Sequence, residues 1–311
     1  LFKTNFLNPF SKHMCILPLG HTASLRYTIK QAIVGVGTVY LYKNFWSIKD
    51  IFWNEIKKKN INFIGVVPSI IQTIFHLYKN RRIKTNNLKF LGCGSSILSK
   101  DMQKKFKKKF NIIIKNIYGM SEIGIASMDN IKNNNLYGSI GEPLSGVKVK
   151  LLSTKKKFIN KENTMGEICV KTPAIFSGYI EKNKKKKTLF FKNYFKTGDL
   201  AIFKKGSIFF IDRSKDIVIK GGVNISPNEI DSCLQKHPNI LETTTIGVES
   251  TFYGEKLKSF IVLKKNKKIS NFELKKFCNT RLGKIRTPDI FEFIDKLPKT
   301  ASGKILKRKL S

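Results

Sequence analysis

Acidic side chains are scarce in this sequence: 21 Asp and Glu stand against 59 Lys and Arg, a formal charge of +38 over 311 residues. Such an excess invites a nucleic-acid or membrane-surface partner, and a second shortage, that of arginine, argues against one. Only seven of the basic residues are Arg, the side chain whose planar fork reads phosphates and base edges bidentately. The lysines are instead spread among Asn, Ile and Phe. Their runs at Lys57–Lys59, Lys107–Lys109 and Lys184–Lys187 read as solvated helix faces and loops. No nucleic-acid partner is expected.

Cysteine is also sparse. Cys15, Cys93, Cys169, Cys233 and Cys278 are odd in number, far apart and without CxxC spacing. That excludes a dense disulfide framework and a paired-cysteine metal or redox site, and it suits a reducing, cytoplasmic compartment. No apolar run approaches the ~18 residues of a membrane-spanning helix, and the N-terminus does not resemble a signal peptide. The first residue is Leu rather than Met, so the chain is expected to begin within a longer protein. What the sequence does have is apolar residues, 41% of the total, enough for one large and one small domain.

Along the chain the hydrophobic period changes twice. Residues 27 to 45 read as a helix, a Gly-containing turn and a strand. Residues 47 to 79 read as helix, strand (NFIGVV) and a helix opened by Pro68. LKFLGCG and NIIIKNIYG read as buried strands flanking a helix from Lys100 to Lys109, the second ending at a Tyr-Gly turn. This alternation predicts an α/β domain. After Gly138 the segments VKVKLL, GEICVKT, LAIFKK and SIFFID have period two and predict an antiparallel β subdomain. Beyond Asp212 come two capping boxes, Ser226–Glu229 with Pro227 at the first helical position and Ser270–Glu273, with strand candidates ETTTIGV, SFIVLKK and DIFEFID. The expected organisation is a large α/β domain over 1–211, incomplete at its N-terminus, a hinge over 212–216, and a small mobile α+β domain over 217–311.

Several polar clusters serve no evident folding purpose. Tyr118-Gly119-Met120-Ser121-Glu122 follows an apolar strand, and strand C-termini are where α/β sheets bind ligands. Thr197-Gly198-Asp199, Asp212-Arg213, Lys220-Gly221-Gly222 and Pro298–Lys304 follow. Each alone reads as an ordinary turn or a solvated lysine. Their order is more specific.

Taken in sequence, YGMSE, GEICVKTPAIFSGY, YFKTGD, DRSKDIVIKGGVNISPNEID and PKTASGK resemble the successive signatures of the acyl-adenylate-forming (AMP-binding) superfamily, of the acyl-CoA synthetase type. The resemblance runs from about Leu17 to Leu310. It implies ATP-dependent activation of a carboxylic acid to an acyl-adenylate, followed by transfer to the thiol of CoA, with ATP, Mg²⁺ and CoA as the small molecules bound. Transfer to a carrier-protein pantetheine and a catalytically inactive, nucleotide-binding remnant are the alternatives.

The resemblance also implies roles for individual residues. Glu122 would hold Mg²⁺ and Ser121 donate to phosphate, which reduces repulsion between the two anions that must meet. Tyr118, followed by Gly119, would stack on adenine. Gly94 and Ser95 lie in a loop resembling the adenine-side loop, although Ser95-Ser96-Ile97 stands where Gly-Ala-Pro is more usual. Asp199 and Arg213 would hold the ribose hydroxyls. Lys304 would bridge substrate carboxylate and nucleotide oxygens during adenylation. Rotation at Lys215, the hinge, would remove it and bring Gly221-Gly222 to the pantetheine thiol. In PLGHTASL, His21 would line the acyl tunnel and gate it against water. That segment lacks the Asp that amino-acid-activating members place there as counter-charge to an α-ammonium, so a fatty or aryl acid is favoured. The superfamily's Ser/Thr/Gly-rich phosphate loop is not found before His21. The activity of this chain by itself is therefore left open.

Overall fold

In the first half of the chain the buried strands FIGV and FLGC are each followed by a helix, opened by Pro68 in one case and capped by Ser99 in the other. The computed structural model describes residues 9–78, 83, 87–88, 90–96, 98–129, 136–179, 189–300 and 303–310. Ile97, Lys184–Lys187, Ala301 and Ser302 lie outside the described residues.

The first half comprises β1 (Lys12–Cys15), a helix that starts with π turns at Ser24–Ile29 and continues as α1 (Lys30–Val34), and β2 (Thr38–Leu41). It continues with α2 (Phe52–Lys58), β3 (Phe63–Val66), α3 (Pro68–Leu77), β4 (Phe90–Cys93), α4 (Lys100–Phe110), β5 (Ile114–Met120), β6 (Gly124–Met128) and β7 (Glu142–Pro143). These strands form one sheet in the order β2-β1-β3-β4-β5-β6-β7. The first five are parallel, and β6 and β7 are added antiparallel.

Two of these helices have a local cause. Pro68 opens α3, whose Ile70, Ile71 and Ile74 are buried. Ser99 caps α4 by accepting from the Met102 N–H. Asp101 in the first turn and Lys107–Lys109 in the last suit the helix dipole, and Phe106 and Phe110 face the core. The core joins Met14, Ile16, Phe52, Trp53, Ile64, Ile71, Leu91 and Phe106.

A second sheet follows, from β8 (Lys148–Leu152), β9 (Phe158–Ile159), β10 (Gly166–Lys171), β11 (Phe190–Phe191), β12 (Tyr194–Lys204) and β13 (Ser207–Arg213), in the order β11-β12-β10-β8-β9 with β13 on β12. Thr197-Gly198-Asp199, which alone reads as a turn, lies within the 11-residue β12. Gly198 has φ +74°, a value that suits glycine alone among common strand residues, so the sequence reads as a turn while the strand continues.

The remainder consists of β14 (Val218–Lys220), β15 (Val223–Ile225), α5 (Pro227–Leu234), β16 (Ile240–Ser250), β17 (Gly254–Leu263), α6 (Asn271–Leu282) and β18 (Ile290–Phe293). Its sheet runs β15-β14-β17-β16, with β18 parallel to β17. Ile230, Leu234, Leu257, Ile261, Leu274 and Cys278 form its core. The Ser270–Glu273 capping box is formed. The Ser226 box is not: Ser226 Oγ donates to Asp212 Oδ2 at 2.6 Å, and the same carboxylate oxygen accepts from the Asn228 N–H at 3.0 Å. A tertiary carboxylate has replaced the local serine cap, and Glu229 pairs with Arg286 at 3.6 Å. The chain divides into two compact units, Leu1–Thr197 with Ile202–Phe209, and Gly198–Ala201 with Phe210–Ser311.

Candidate functional site

In the first unit the expected residues gather where parallel strands end. The strand order reverses direction between β1 and β3, and a crevice opens beyond the carboxyl ends at such a switch point. His21 follows β1, Gly94 and Ser95 follow β4, and Tyr118–Glu122 lie at the end of β5 and in the turn after it.

His21 is half-buried rather than a core residue. Its Nδ1 accepts the Ala23 N–H at 3.1 Å at the entrance of the Ser24 helix. The accepting nitrogen carries no proton, so in the neutral ring Nε2 is the donor. Gly94 is buried: a Cβ there would stand 3.0 Å from the Tyr27 ring and 3.2 Å from its hydroxyl. Burial pushes that Tyr27 phenol up to about 12. Ser95 has φ +68°, so this chain keeps a glycine-like backbone at the position where glycine is more usual.

The Tyr-Gly pair is not the turn expected from the sequence. β5 continues to Met120, with a register shift between Tyr118 and Gly119, and Ser121–Ile123 form the turn into β6. Gly119 is required by this close pairing, because a Cβ would lie 2.2 Å from the Gly124 carbonyl oxygen. Ser121 is exposed and Glu122 half-buried.

Three supports hold this hairpin. Asp129, buried below it, accepts from the Asn116 N–H at 2.9 Å, from Ser139 Oγ and from Gln103 Nε2 at 3.4 Å. Burial raises its pKa to about 6 even though these donors oppose the shift. Arg26, from the helix after β1, donates Nη1 to the Met120 carbonyl and Nη2 to the Ser121 carbonyl, both at 2.9 Å. Finally, the Phe176 N–H donates to the Glu122 carbonyl at 2.8 Å and Tyr179 Oη to Glu122 Oε1 at 2.9 Å. The sequence reading missed Arg26 and Tyr179. Tyr179 does lie inside the quoted segment GEICVKTPAIFSGY, whereas Arg26 left no local signal beyond the rarity of arginine.

In the second unit Asp199 and Arg213 meet. Arg213 Nε lies 3.2 Å from Asp199 Oδ1, and Asp199 is buried. Lys304 belongs to the same cluster. Its pKa is lowered by burial and then by the Arg213 charge, with Asp199 pulling the other way and Lys215 and Asp216 adding smaller effects. Lys304 is an exposed residue, and an ammonium beside another cation is poised for an anion. The loop that presents it is closed by the Lys304 N–H donating to Thr300 Oγ1 and the Leu306 N–H donating to the Pro298 carbonyl. Lys215 is exposed, in a 3₁₀ turn over Ser214–Asp216.

Gly221 and Gly222 form a two-residue hairpin loop between β14 and β15. Lys220 faces Val223, and both glycines have positive φ, +54° and +78°. The turn is tight. The Gly221 N–H donates to the Tyr253 carbonyl, and buried Lys220 is held by both carboxylate oxygens of Asp289 at 2.7 Å.

All five cysteines are buried free thiols. Among the described residues no group of three or more His, Cys, Asp or Glu could hold a metal, and no helix is long and apolar enough to cross a membrane.

The AMP-binding enzyme family model matches residues 3–180, and that of the AMP-binding enzyme C-terminal domain matches residues 229–304. The chain belongs to the AMP-binding enzyme family. Asp199, Arg213, Lys215, Gly221 and Gly222 lie between the two matched stretches. Among AMP-binding relatives, the oxalate–CoA ligase of Saccharomyces cerevisiae is 30% identical over 311 residues, covering 97% of this chain and 55% of that protein. The long-chain-fatty-acid–CoA ligase of Bacillus subtilis is 32% identical over 305 residues, covering 96% and 53%. ATP-bound MatB from Rhodopseudomonas palustris has a similar fold, with a TM-score of 0.91 and 25% identity, over 97% of this chain and 60% of that one. The chain thus spans a little over half the length of these relatives.

Proposed function

We propose that this AMP-binding polypeptide activates a carboxylic acid with ATP and passes the acyl group to the thiol of CoA. The observation that carries the reading is the cluster of Asp199, Arg213 and Lys304, a buried carboxylate, its guanidinium partner and an ammonium with a depressed pKa. A carboxylate is a poor acyl donor. Its attack on the α-phosphate of ATP needs cations where the two anions meet and hydrogen-bonding groups that fix the nucleotide.

Asp199 and Arg213 would hold the ribose hydroxyls, Tyr118 would stack on adenine above Gly119, and Gly94 and Ser95 would border that pocket. Ser121, exposed in its turn, would donate to phosphate, and Lys304 would bridge the carboxylate and nucleotide oxygens. Glu122 fits a Mg²⁺ site shared with substrate: one accessible carboxylate, with no protein cage among the described residues, is the donor set Mg²⁺ takes when nucleotide phosphates and water complete its shell. Bound there, Mg²⁺ would neutralise phosphate charge. His21, with Nε2–H as donor, would line the acyl side. The two relatives act on oxalate and on long-chain fatty acids by name. Neither substrate has an α-amino group, which agrees with the absence of an acidic residue next to His21 in the sequence, and both relatives are CoA ligases by name, which favours CoA over a carrier protein as acceptor.

The reading includes a hinge over 212–216 between domains at 1–211 and 217–311. Asp199 and Arg213 precede Lys215, whereas Lys304 and the Gly221-Gly222 loop follow it. Rotation at Lys215 would withdraw Lys304 and bring the glycine loop to the thiol. It would also break the bonds from Asp212 to Ser226 and Asn228, which straddle the pivot.

The test is pyrophosphate exchange with the natural polypeptide that carries these residues. Labelled pyrophosphate is expected to enter ATP only when a carboxylic acid is supplied. Exchange that ignores the acid, or none with fatty, aryl or dicarboxylic acids, would count against the reading.

A further inference from the structure

Glu122 has no basic partner among its described contacts; what holds its side chain is a phenol. Tyr179 Oη donates to Oε1 at 2.9 Å across 57 residues of sequence. The phenol is itself positioned. Tyr179 packs edge-on against Phe176, with ring centroids 4.9 Å apart and planes at 69°, and Phe176 packs against buried Phe195 at 5.6 Å. Phe176 is also bonded through its N–H to the Glu122 carbonyl, so one short segment fixes both the main chain and the carboxylate of the same residue. Arg26 clamps the other side of the turn through two carbonyls.

We propose that Tyr179 is a positioning residue that fixes the Glu122 carboxylate for a divalent cation bound with ATP. The inference rests on the role of Glu122 in the reading above. A neutral donor suits the task. An arginine or lysine at this point would neutralise the carboxylate and compete with the cation, whereas a phenol takes one oxygen, sets the rotamer and leaves the negative charge for the metal. Carboxylates that bind metals are commonly oriented by such an outer hydrogen bond, and losing it weakens metal binding by ~10-fold or more.

The test is Mn²⁺ binding in the presence of saturating ATP, read by electron paramagnetic resonance on the purified protein, its Tyr179→Phe variant and, as reference, Glu122→Gln. Tyr179→Phe keeps the ring and its packing on Phe176, and it is expected to leave the melting temperature and ATP affinity without metal unchanged. Its Mn²⁺ affinity should fall by ~10-fold, with Glu122→Gln falling further. A Tyr179→Phe affinity within about two-fold of the parent, with Glu122→Gln impaired, would overturn the inference and leave the role of Glu122 intact. Parent protein that binds Mn²⁺ no better than free ATP does would remove the role of Glu122, and the inference with it.

Discussion

Replacing Lys304 by alanine is expected to abolish acyl-adenylate formation while sparing conversion of supplied acyl-adenylate to thioester. Lys304 is exposed, and its pKa is lowered by partial desolvation and by the neighbouring Arg213 charge. Its charge is needed where the carboxylate and the phosphate meet, so its contribution is expected to fall on one transition state. A loss of ~10³-fold or more in pyrophosphate exchange is the scale for removing a charge placed against developing negative charge. After adenylation the carboxylate no longer carries a charge to be shielded, and rotation at Lys215 would have moved the residue away. Measuring both half-reactions on one preparation separates these steps. Equal losses in the two would mean that Lys304 supports the fold or general nucleotide binding.

Replacing Asp212 by alanine is expected to destabilise the second unit by about 3 kcal/mol, because several donors converge on one buried carboxylate. Asp212 accepts from Ser226 Oγ, the Asn228 N–H and the Arg213 N–H, and it is only 1% exposed. Removal leaves buried donors unsatisfied and α5 uncapped, at about 1–3 kcal/mol and about 1 kcal/mol respectively. Urea unfolding with hydrogen exchange at the α5 amides would report it. Asp212→Asn should fall between, since its amide oxygen still accepts. A loss under about 1 kcal/mol would show that Ser226 turns inward and caps the helix itself. The same change would also loosen the pivot, so the variant should form thioester from supplied acyl-adenylate at least as fast as the parent.

The elements legible in the sequence were those whose cause is local. Pro68, Ser99 and the Ser270–Glu273 box mark helix starts, and the α/β alternation and the later period-two strands appear as expected. β1 was illegible because its four residues, KHMC, bury a histidine and a cysteine and show neither period. The Ser226 box failed for a different reason: it competes with a carboxylate that only tertiary folding brings to the helix. At the site, the order of the motifs gave most of the candidate residues. The contacts that orient them, Arg26 to Met120 across 94 residues and Tyr179 to Glu122 across 57, depend on chain topology and leave no local pattern.

The proposed function rests on attack of a carboxylate oxygen on the α-phosphate of ATP. The most direct measurement uses a fatty acid labelled with ¹⁸O in its carboxylate, with ATP, Mg²⁺ and CoA, and mass analysis of the nucleotide produced by the natural polypeptide. The bond formed joins a carboxylate oxygen to the α-phosphorus as pyrophosphate leaves. Attack of the thiol on the acyl carbon then releases AMP that retains that oxygen. The expected product is AMP carrying one ¹⁸O from the acid, formed together with the thioester. Unlabelled AMP, or ADP with the label in inorganic phosphate, would contradict it.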